Sequence, residues 1–233
     1  MAILLIGVIF SLLVLYVTFR AWSVVKDRKL LETATSLDRG TEAEKDLVLA
    51  LLKFGIPAGA IFHDLYLKKP NGSFSQIDLV VATKVGIIVF EVKDYSGWLF
   101  GNGNHNQWTK VLAYGQEKYK FYNPIKQNNG HILALQKQLR KEKVPFYSVI
   151  VFYGNCELRD ISFVPNGTFI VRPWTVLGVV NDIINENEEA CYTDKHEIIR
   201  VLKEAVENGN NAETESQHIE NIEDMLGNHR IFE

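Results

Sequence analysis

Residues 2–19 contain no charged side chain and are built mainly from Leu, Ile, Val and Phe. Their length matches the roughly 20 apolar residues that a helix needs to cross the hydrocarbon core of a bilayer. A cleaved signal peptide would begin with a basic region and end at a small-residue cleavage site. Here only Met1 and Ala2 come before the long apolar side chains, and Arg20-Ala21-Trp22 follow the run. A core helix of a soluble domain is seldom apolar on every side at a chain end, so the run is expected to be an uncleaved transmembrane anchor over 1–25. Arg20, Lys26, Arg28 and Lys29 follow it against Asp27, and only the terminal amine precedes it. The positive-inside rule then predicts a single-pass protein of the cell membrane with its main domain in the cytoplasm and Trp22 at the interface.

Residues 26–40 are polar and read as a juxtamembrane linker that can continue the helix, and the main domain is expected over 41–185. Across the whole chain, 47% hydrophobic and 11% aromatic residues favour a packed core over disorder. Thr41 with Glu44 three positions later has the capping-box spacing. Leu47, Val48, Leu51, Leu52 and Phe54 then form an apolar stripe that stops at Gly55 and Pro57. Strands are predicted over 61–67 and 74–82, joined by the turn residues Pro70-Asn71-Gly72, and over 86–93. The run Ile87-Ile88-Val89-Phe90 lacks alternation, as a strand covered on both faces does.

Gly97, Gly101 and Gly103 read as loop punctuation. Short strands are expected over 108–112 and 118–122, and a helix from Asn123-Pro124 to about Lys141 with Ile125, Ile132, Leu135 and Leu139 buried. Strands at 146–153 and 169–171 and helices at 174–184 and 194–207 complete an α/β domain with one mixed central sheet flanked by helices. Residues 186–233 form an acidic, partly helical extension. From Asp182 onward there are 14 Asp/Glu against 4 Lys/Arg, and the part after Asn208 lacks a convincing apolar stripe and reads as loosely ordered.

Asp78 and Glu91 are where chemistry is expected. Glu91 and Lys93 project from one face of a strand of period two, and a hairpin can lay Asp78 beside them. Two carboxylates and one ammonium suit Mg²⁺, which takes oxygen ligands and needs only one or two protein carboxylates. Such an ion polarises phosphate and activates water, with Lys93 offsetting charge. The pattern Glu-x-Lys is weak by itself, since Asp27-Arg28-Lys29 fits its looser form, and a strand-end ion pair without chemistry explains the same residues. Burying Glu91 unpaired is costly, so either Lys93 or a metal must accompany it.

Between Asn106 and Lys143 there are eight Lys/Arg against Glu117 and Glu142, which makes this stretch the candidate polyanion face. Trp108, Tyr114, Tyr119, Phe121 and Tyr122 interleave with Lys110, Lys118 and Lys120, and with Lys126 they are candidates for nucleic-acid contact. A hairpin with aromatics inward and lysines in solvent gives the same alternation. His131 lies one turn after Gln127 and is a candidate for substrate contact. His63 is expected to be a structural hydrogen-bonder. Cys156 and Cys191 are too few for a disulfide framework or zinc site, and no Gly-rich phosphate loop, Ser-His-Asp order or Cys-x-x-Cys pair is present.

Gly40-x-x-Ala43-Glu44, Gln76-Ile77-Asp78, the run from Gly86 through Glu91-Val92-Lys93-Asp94-Tyr95-Ser96-Gly97, Trp108, and Asn123-Pro124-x-x-Gln127 together resemble the nuclease-related domain (NERD) family. The resemblance covers about 40–153. That family is assigned to the PD-(D/E)xK nuclease superfamily, with a restriction-endonuclease-like core. It implies a phosphodiesterase dependent on Mg²⁺ or Mn²⁺ that acts on DNA or RNA. Asp78, Glu91 and Lys93 stand at the core motif, and Glu44 and Gln127 at accessory polar positions. The resemblance also implies that the Val92 carbonyl completes the metal shell and that Glu44 holds the same or a second ion, an alternative to its capping role. Ile77 replaces the proline of the superfamily name, and Ala43 stands where glycine is common; neither change removes an implied ligand. Two alternatives to the nuclease keep the fold: a nucleic-acid-binding module without turnover, and a membrane-tethered interaction scaffold using the acidic tail.

Overall fold

The computed structural model describes residues 2–69, 72–112, 115–139 and 143–209. Pro70 and Asn71 of the expected turn, Tyr114, Arg140, Lys141 and Glu142 of the basic stretch, and the acidic tail from residue 210 lie outside the described residues.

Helix α1 (Ala2–Leu31) continues the apolar run without a break, and over Ile9–Leu31 it is long and apolar enough to cross a membrane. Side chains such as Phe10, Leu13 and Phe19 are exposed, so no protein core accounts for them. At its far end α1 reaches the domain, where Leu31 enters the core and Asp27 pairs with Lys53 of α2 (Glu42–Phe54) at 2.8 Å. Residues 32–40 are pinned as well: Lys45 Nζ donates to the Leu37 carbonyl, and Arg39 bridges Asp64 and the Val206 carbonyl. Thr41 caps α2 by accepting from the Glu44 amide, and Gly55 ends it in the left-handed conformation.

The domain is a mixed α/β structure with two mixed sheets where one was expected. The first has the order β1 (Ile61–Lys68), β2 (Phe74–Thr83), β3 (Gly86–Asp94), β7 (Phe146–Tyr153), β9 (Thr168–Val171). Its first three strands are antiparallel, whereas β3, β7 and β9 run parallel. The parallel step needs a long crossover, which β4 to β6 and α3 (Pro124–Gln138) supply. Alternate residues of β3 explain its unbroken apolar run. Ile88, Phe90 and Val92 face a core with α2 and α4 (Pro173–Glu186), while Ile87 and Val89 face one with α3 and α5 (Lys195–Asn208).

The second sheet has the order β6 (Glu117–Tyr122), β5 (Gln107–Leu112), β4 (Gly97–Asn102), β8 (Cys156–Ser162). Two of these strands correct the sequence expectation. β4 occupies the stretch expected to be a loop, and β8 was not foreseen. Their parallel pair carries on from the β3/β7 pair through Tyr95 and Ser96 on one side and Gly154 and Asn155 on the other. Gly101 allows this, because a Cβ there would lie 2.2 Å from the Trp108 ring that rests on the strand. Trp108 in turn stacks on Phe152 of β7, with centroids 6.1 Å apart, and closes a third core between the sheets.

Candidate active site

The β2/β3 ladder runs from Thr83 opposite Gly86 to Leu79 opposite Phe90. On the next rung, where Asp78 would face Glu91, regular pairing stops, and Asp78 Oδ2 accepts the Val92 amide proton at 2.7 Å. The strands therefore part at the motif, and a carboxylate replaces the missing ladder partner. On β3, period two puts Glu91 and Lys93 on one face, with Lys93 Nζ 2.5 Å from Glu91 Oε1. The expected same-face pair is present, and Glu91 is fully buried.

Helix α3 supplies a partner for Glu91 in His131, which the sequence marked as a candidate for substrate contact but not as a neighbour of the carboxylate. His131 lies on its buried side, with Nε2 3.3 Å from Glu91 Oε2 and Nδ1 3.2 Å from the Ser75 hydroxyl at the start of β2. Assigned from these partners, Nε2 carries the proton toward the carboxylate and Nδ1 accepts from Ser75. Next to it Asn128 donates to the Val89 carbonyl and to Ser148, which ties the helix to the sheet behind the site. Yet neither Glu91 oxygen, nor His131 Nε2, completes a hydrogen bond of ordinary geometry. A buried carboxylate in that state retains capacity for another cationic partner.

The charges at the site divide the two carboxylates. Burial, then the charge of Glu91, pushes the Asp78 carboxyl well above its usual range, against the pull of Lys93 and the Val92 amide. Burial also raises Glu91, but Lys93 and His131 outweigh it and hold Glu91 below its ordinary value. For Lys93 burial opposes the charge, and Glu91 with Asp78 overcomes it, so the ammonium is held above its usual range. Like charges that cannot both ionise cheaply separate in this way. Among the described residues no group of three or more His, Cys, Asp or Glu side chains converges as a metal cage.

Glu44 is buried at the N-terminus of α2, close enough for its charge to raise Asp78 further. Its Oε1 accepts from the Thr41 hydroxyl at 2.8 Å, and its Oε2 lies 3.2 Å from His63 Nε2. His63 Nδ1 is 2.6 Å from the Thr35 hydroxyl, so both ring nitrogens are engaged, as expected of a structural histidine. Gly40 makes room for this contact. It has φ +63°, and a Cβ there would stand 2.5 Å from His63 Nε2 and 2.6 Å from Glu44 Oε2. Gln76 does not reach Asp78's partners. It donates to Asp64 at 2.7 Å, and Asp64, with φ 56°, also pairs with Arg39. Gln127 is half-buried in the first turns of α3, and its side chain makes no hydrogen bond among the described residues.

The candidate nucleic-acid residues separate into groups. Lys110 lies over the rings of Tyr95 and Tyr119 at 4.9 and 5.6 Å, and Tyr95 is itself within the electrostatic reach of Lys93 and Glu91. Lys118 and Lys120 pair across the ladder with Val111 and Thr109, so they leave from the opposite face of the sheet. Lys126 donates to Asn106 at 2.7 Å. His131 is 7% exposed and sits against Glu91, inside the site.

Residues 39–153 match the model of the nuclease-related domain family. An uncharacterized protein of Bacillus anthracis is 29% identical over 124 residues, which cover 53% of this chain and 57% of that protein. No solved structure matches the chain. Every motif residue named above falls within the matched segment, and the chain therefore carries a nuclease-related domain, NERD, over residues 39–153.

Proposed function

We propose that the domain is a divalent-metal-dependent nuclease that hydrolyses phosphodiester bonds in DNA, with RNA as the alternative substrate, and that α1 anchors it in the cell membrane with the domain on the cytoplasmic side. The observation that carries the reading is Glu91: wholly buried, held ionised, and with both oxygens short of a proper hydrogen bond. Asp78, Glu91 and the Val92 carbonyl would hold Mg²⁺ or Mn²⁺, a donor set of oxygens that suits either ion. When bound, the ion polarises the phosphate and makes a coordinated water more acidic. Burial favours the neutral form of Asp78, which a bound cation would oppose, while Lys93 keeps its proton and would act as a fixed positive charge that orients water and offsets charge on phosphate. Glu44, committed to Thr41 and His63, shapes the field at Asp78 more directly than it offers a free ligand. Lys110, flanked by Tyr95 and Tyr119, is the basic residue best placed to guide a strand toward Lys93. The anchor reading rests on the length and apolarity of α1 and on the basic residues that follow it.

The direct Lys93 to Glu91 contact favours a second reading, in which the pair is purely structural and the domain binds nucleic acid without turnover. Incubating the purified full chain with plasmid and linear DNA separates the two. The nuclease reading predicts cleavage that needs Mg²⁺ or Mn²⁺, stops with chelator and is lost in the Asp78→Ala, Lys93→Ala double variant. Cleavage unchanged in that variant would sink the site assignment. Salt-sensitive binding without cleavage under either metal would establish the second reading.

A further inference from the structure

On the side of α3 away from the motif, a groove of about 980 Å³ separates α3 from α5 above the end of β1. Its α3 wall is Gly130, Leu133, Ala134, Lys137 and Gln138, spaced as one stripe of a helix surface. Its α5 wall is Val201, Glu204, Ala205 and Asn208, a second stripe of the same spacing. Two helices that present matching stripes normally pack 8–10 Å apart, ridge into groove. Here each packs on the sheet and leaves the space between open, with Leu133 at 51% exposure. The floor is Leu67, and Lys68, Lys69 and Lys137 make the rim basic.

Helix α5 ends at this groove: Asn208, its last residue, lines it and donates to the Tyr66 carbonyl of the floor strand β1. Residues 210–233 carry Glu213, Glu215, Glu220, Glu223, Asp224 and Glu233 against a single Arg230. Within them Ile219, Ile222 and Leu226 recur at intervals of three and four, short of a long stripe but matched in spacing to the groove walls. We infer that this groove is the seat of the chain's own segment 210–233, with Ile219, Ile222 and Leu226 on Leu67, Leu133 and Ala134 and the acidic residues against Lys68, Lys69 and Lys137. The tether makes the local concentration high without any partner. The seated segment covers Lys137 of the basic stretch and so competes with a nucleic-acid strand for that side of α3.

The test uses the full chain in detergent with Cys156→Ser and Cys191→Ser. Lys137→Cys is combined with Glu220→Cys, and a control pairs Lys118→Cys, on the second sheet, with Glu220→Cys. Mild oxidation should crosslink the first pair within one chain several-fold faster than the control. The advantage should fall in about 1 M salt, where the screening length drops to about 3 Å, and should vanish with Ile219→Asp and Ile222→Asp added. Hydrogen exchange over 130–138 should rise in that last variant, and the Asp78 and Lys93 site need not be active for any of this. Equal rates for the two pairs, or crosslinks only between differently tagged chains, would overturn the proposal; the latter would assign the groove to a second copy.

Discussion

Replacing Lys93 with Met keeps most of the side-chain bulk and removes the ammonium that stands 2.5 Å from Glu91 Oε1. Glu91 has no exposed surface through which water could take over. Breaking a buried pair by removing one partner costs about 3–5 kcal/mol, because the other charge is stranded. His131 Nε2 remains 3.3 Å from the second oxygen, which puts the expected loss at the lower end, about 3 kcal/mol. At about 2–4 °C per kcal/mol for a domain of this size, the unfolding midpoint should drop by roughly 6–12 °C. Without Lys93, burial dominates and the folded-state pKa of Glu91 moves above its unfolded value. A group shifted that way contributes its stability below the unfolded pKa and loses it as pH rises through the folded one. The deficit of the variant should therefore be largest at neutral pH and close on acidification. Adding Glu91→Gln in the same chain removes the stranded charge and should recover most of the loss. A divalent ion at about 100 times its Kd should recover about 2.7 kcal/mol in the Lys93→Met chain that retains Glu91. Thermal unfolding of the full chain in detergent, at acidic and neutral pH, reads all of these. A Lys93→Met variant with the parent's midpoint at neutral pH, or a double variant no better than the single, would mean that Lys93 does not stabilise a buried Glu91 charge.

Gly40→Ala puts a Cβ at φ +63° against His63 and Glu44. It should cost at least about 1–2 kcal/mol, read as a lower midpoint, and an unchanged midpoint would mean that Glu44 and His63 are not held as described. Asp78, raised by burial, lends stability fully below its unfolded pKa and loses it as pH climbs through its folded one. Asp78→Asn keeps an acceptor for the Val92 amide, so it should match or exceed the parent's midpoint at neutral pH, lose that advantage in acid, and bind no Mg²⁺ by calorimetry; a less stable variant at neutral pH would contradict this. Lys110→Ala should weaken DNA binding about equally across sequences and lower the salt slope by about 1 in fluorescence anisotropy, more than Lys118→Ala does. Equal effects of the two would remove Lys110 from the strand path.

Features set by short-range chemistry were readable in the sequence. Thr41 and Glu44 marked the start of α2, Asn123-Pro124 that of α3, and period two put Glu91 and Lys93 on one face. The lack of alternation in Ile87-Ile88-Val89-Phe90 correctly implied two covered faces. Features that depend on long-range partners were hidden. Gly97 and Gly101 look like loop residues until Trp108 is known to lie on the strand they build, and β8 pairs with that strand from almost sixty positions away. His131 reads in the sequence as a companion of Gln127 and a candidate for substrate contact. Only the packing of α3 over β2 and β3 turns it toward Glu91 and Ser75. Gln76 sits beside Asp78 in the motif but serves Asp64, whose left-handed backbone no pattern announces. Glu44 was open between cap and ligand, and it combines the box's Thr41 partner with a histidine from β1.

Whether Asp78 and Glu91 form a metal site can be read by anomalous scattering from crystals of the full chain soaked in Mn²⁺. An anomalous peak is expected beside the Asp78 and Glu91 carboxylates, with Lys93 drawn off Glu91 Oε1 and no peak in Asp78→Asn. A site without metal at saturating Mn²⁺, still closed by the Lys93 to Glu91 contact, would contradict the metal-site reading.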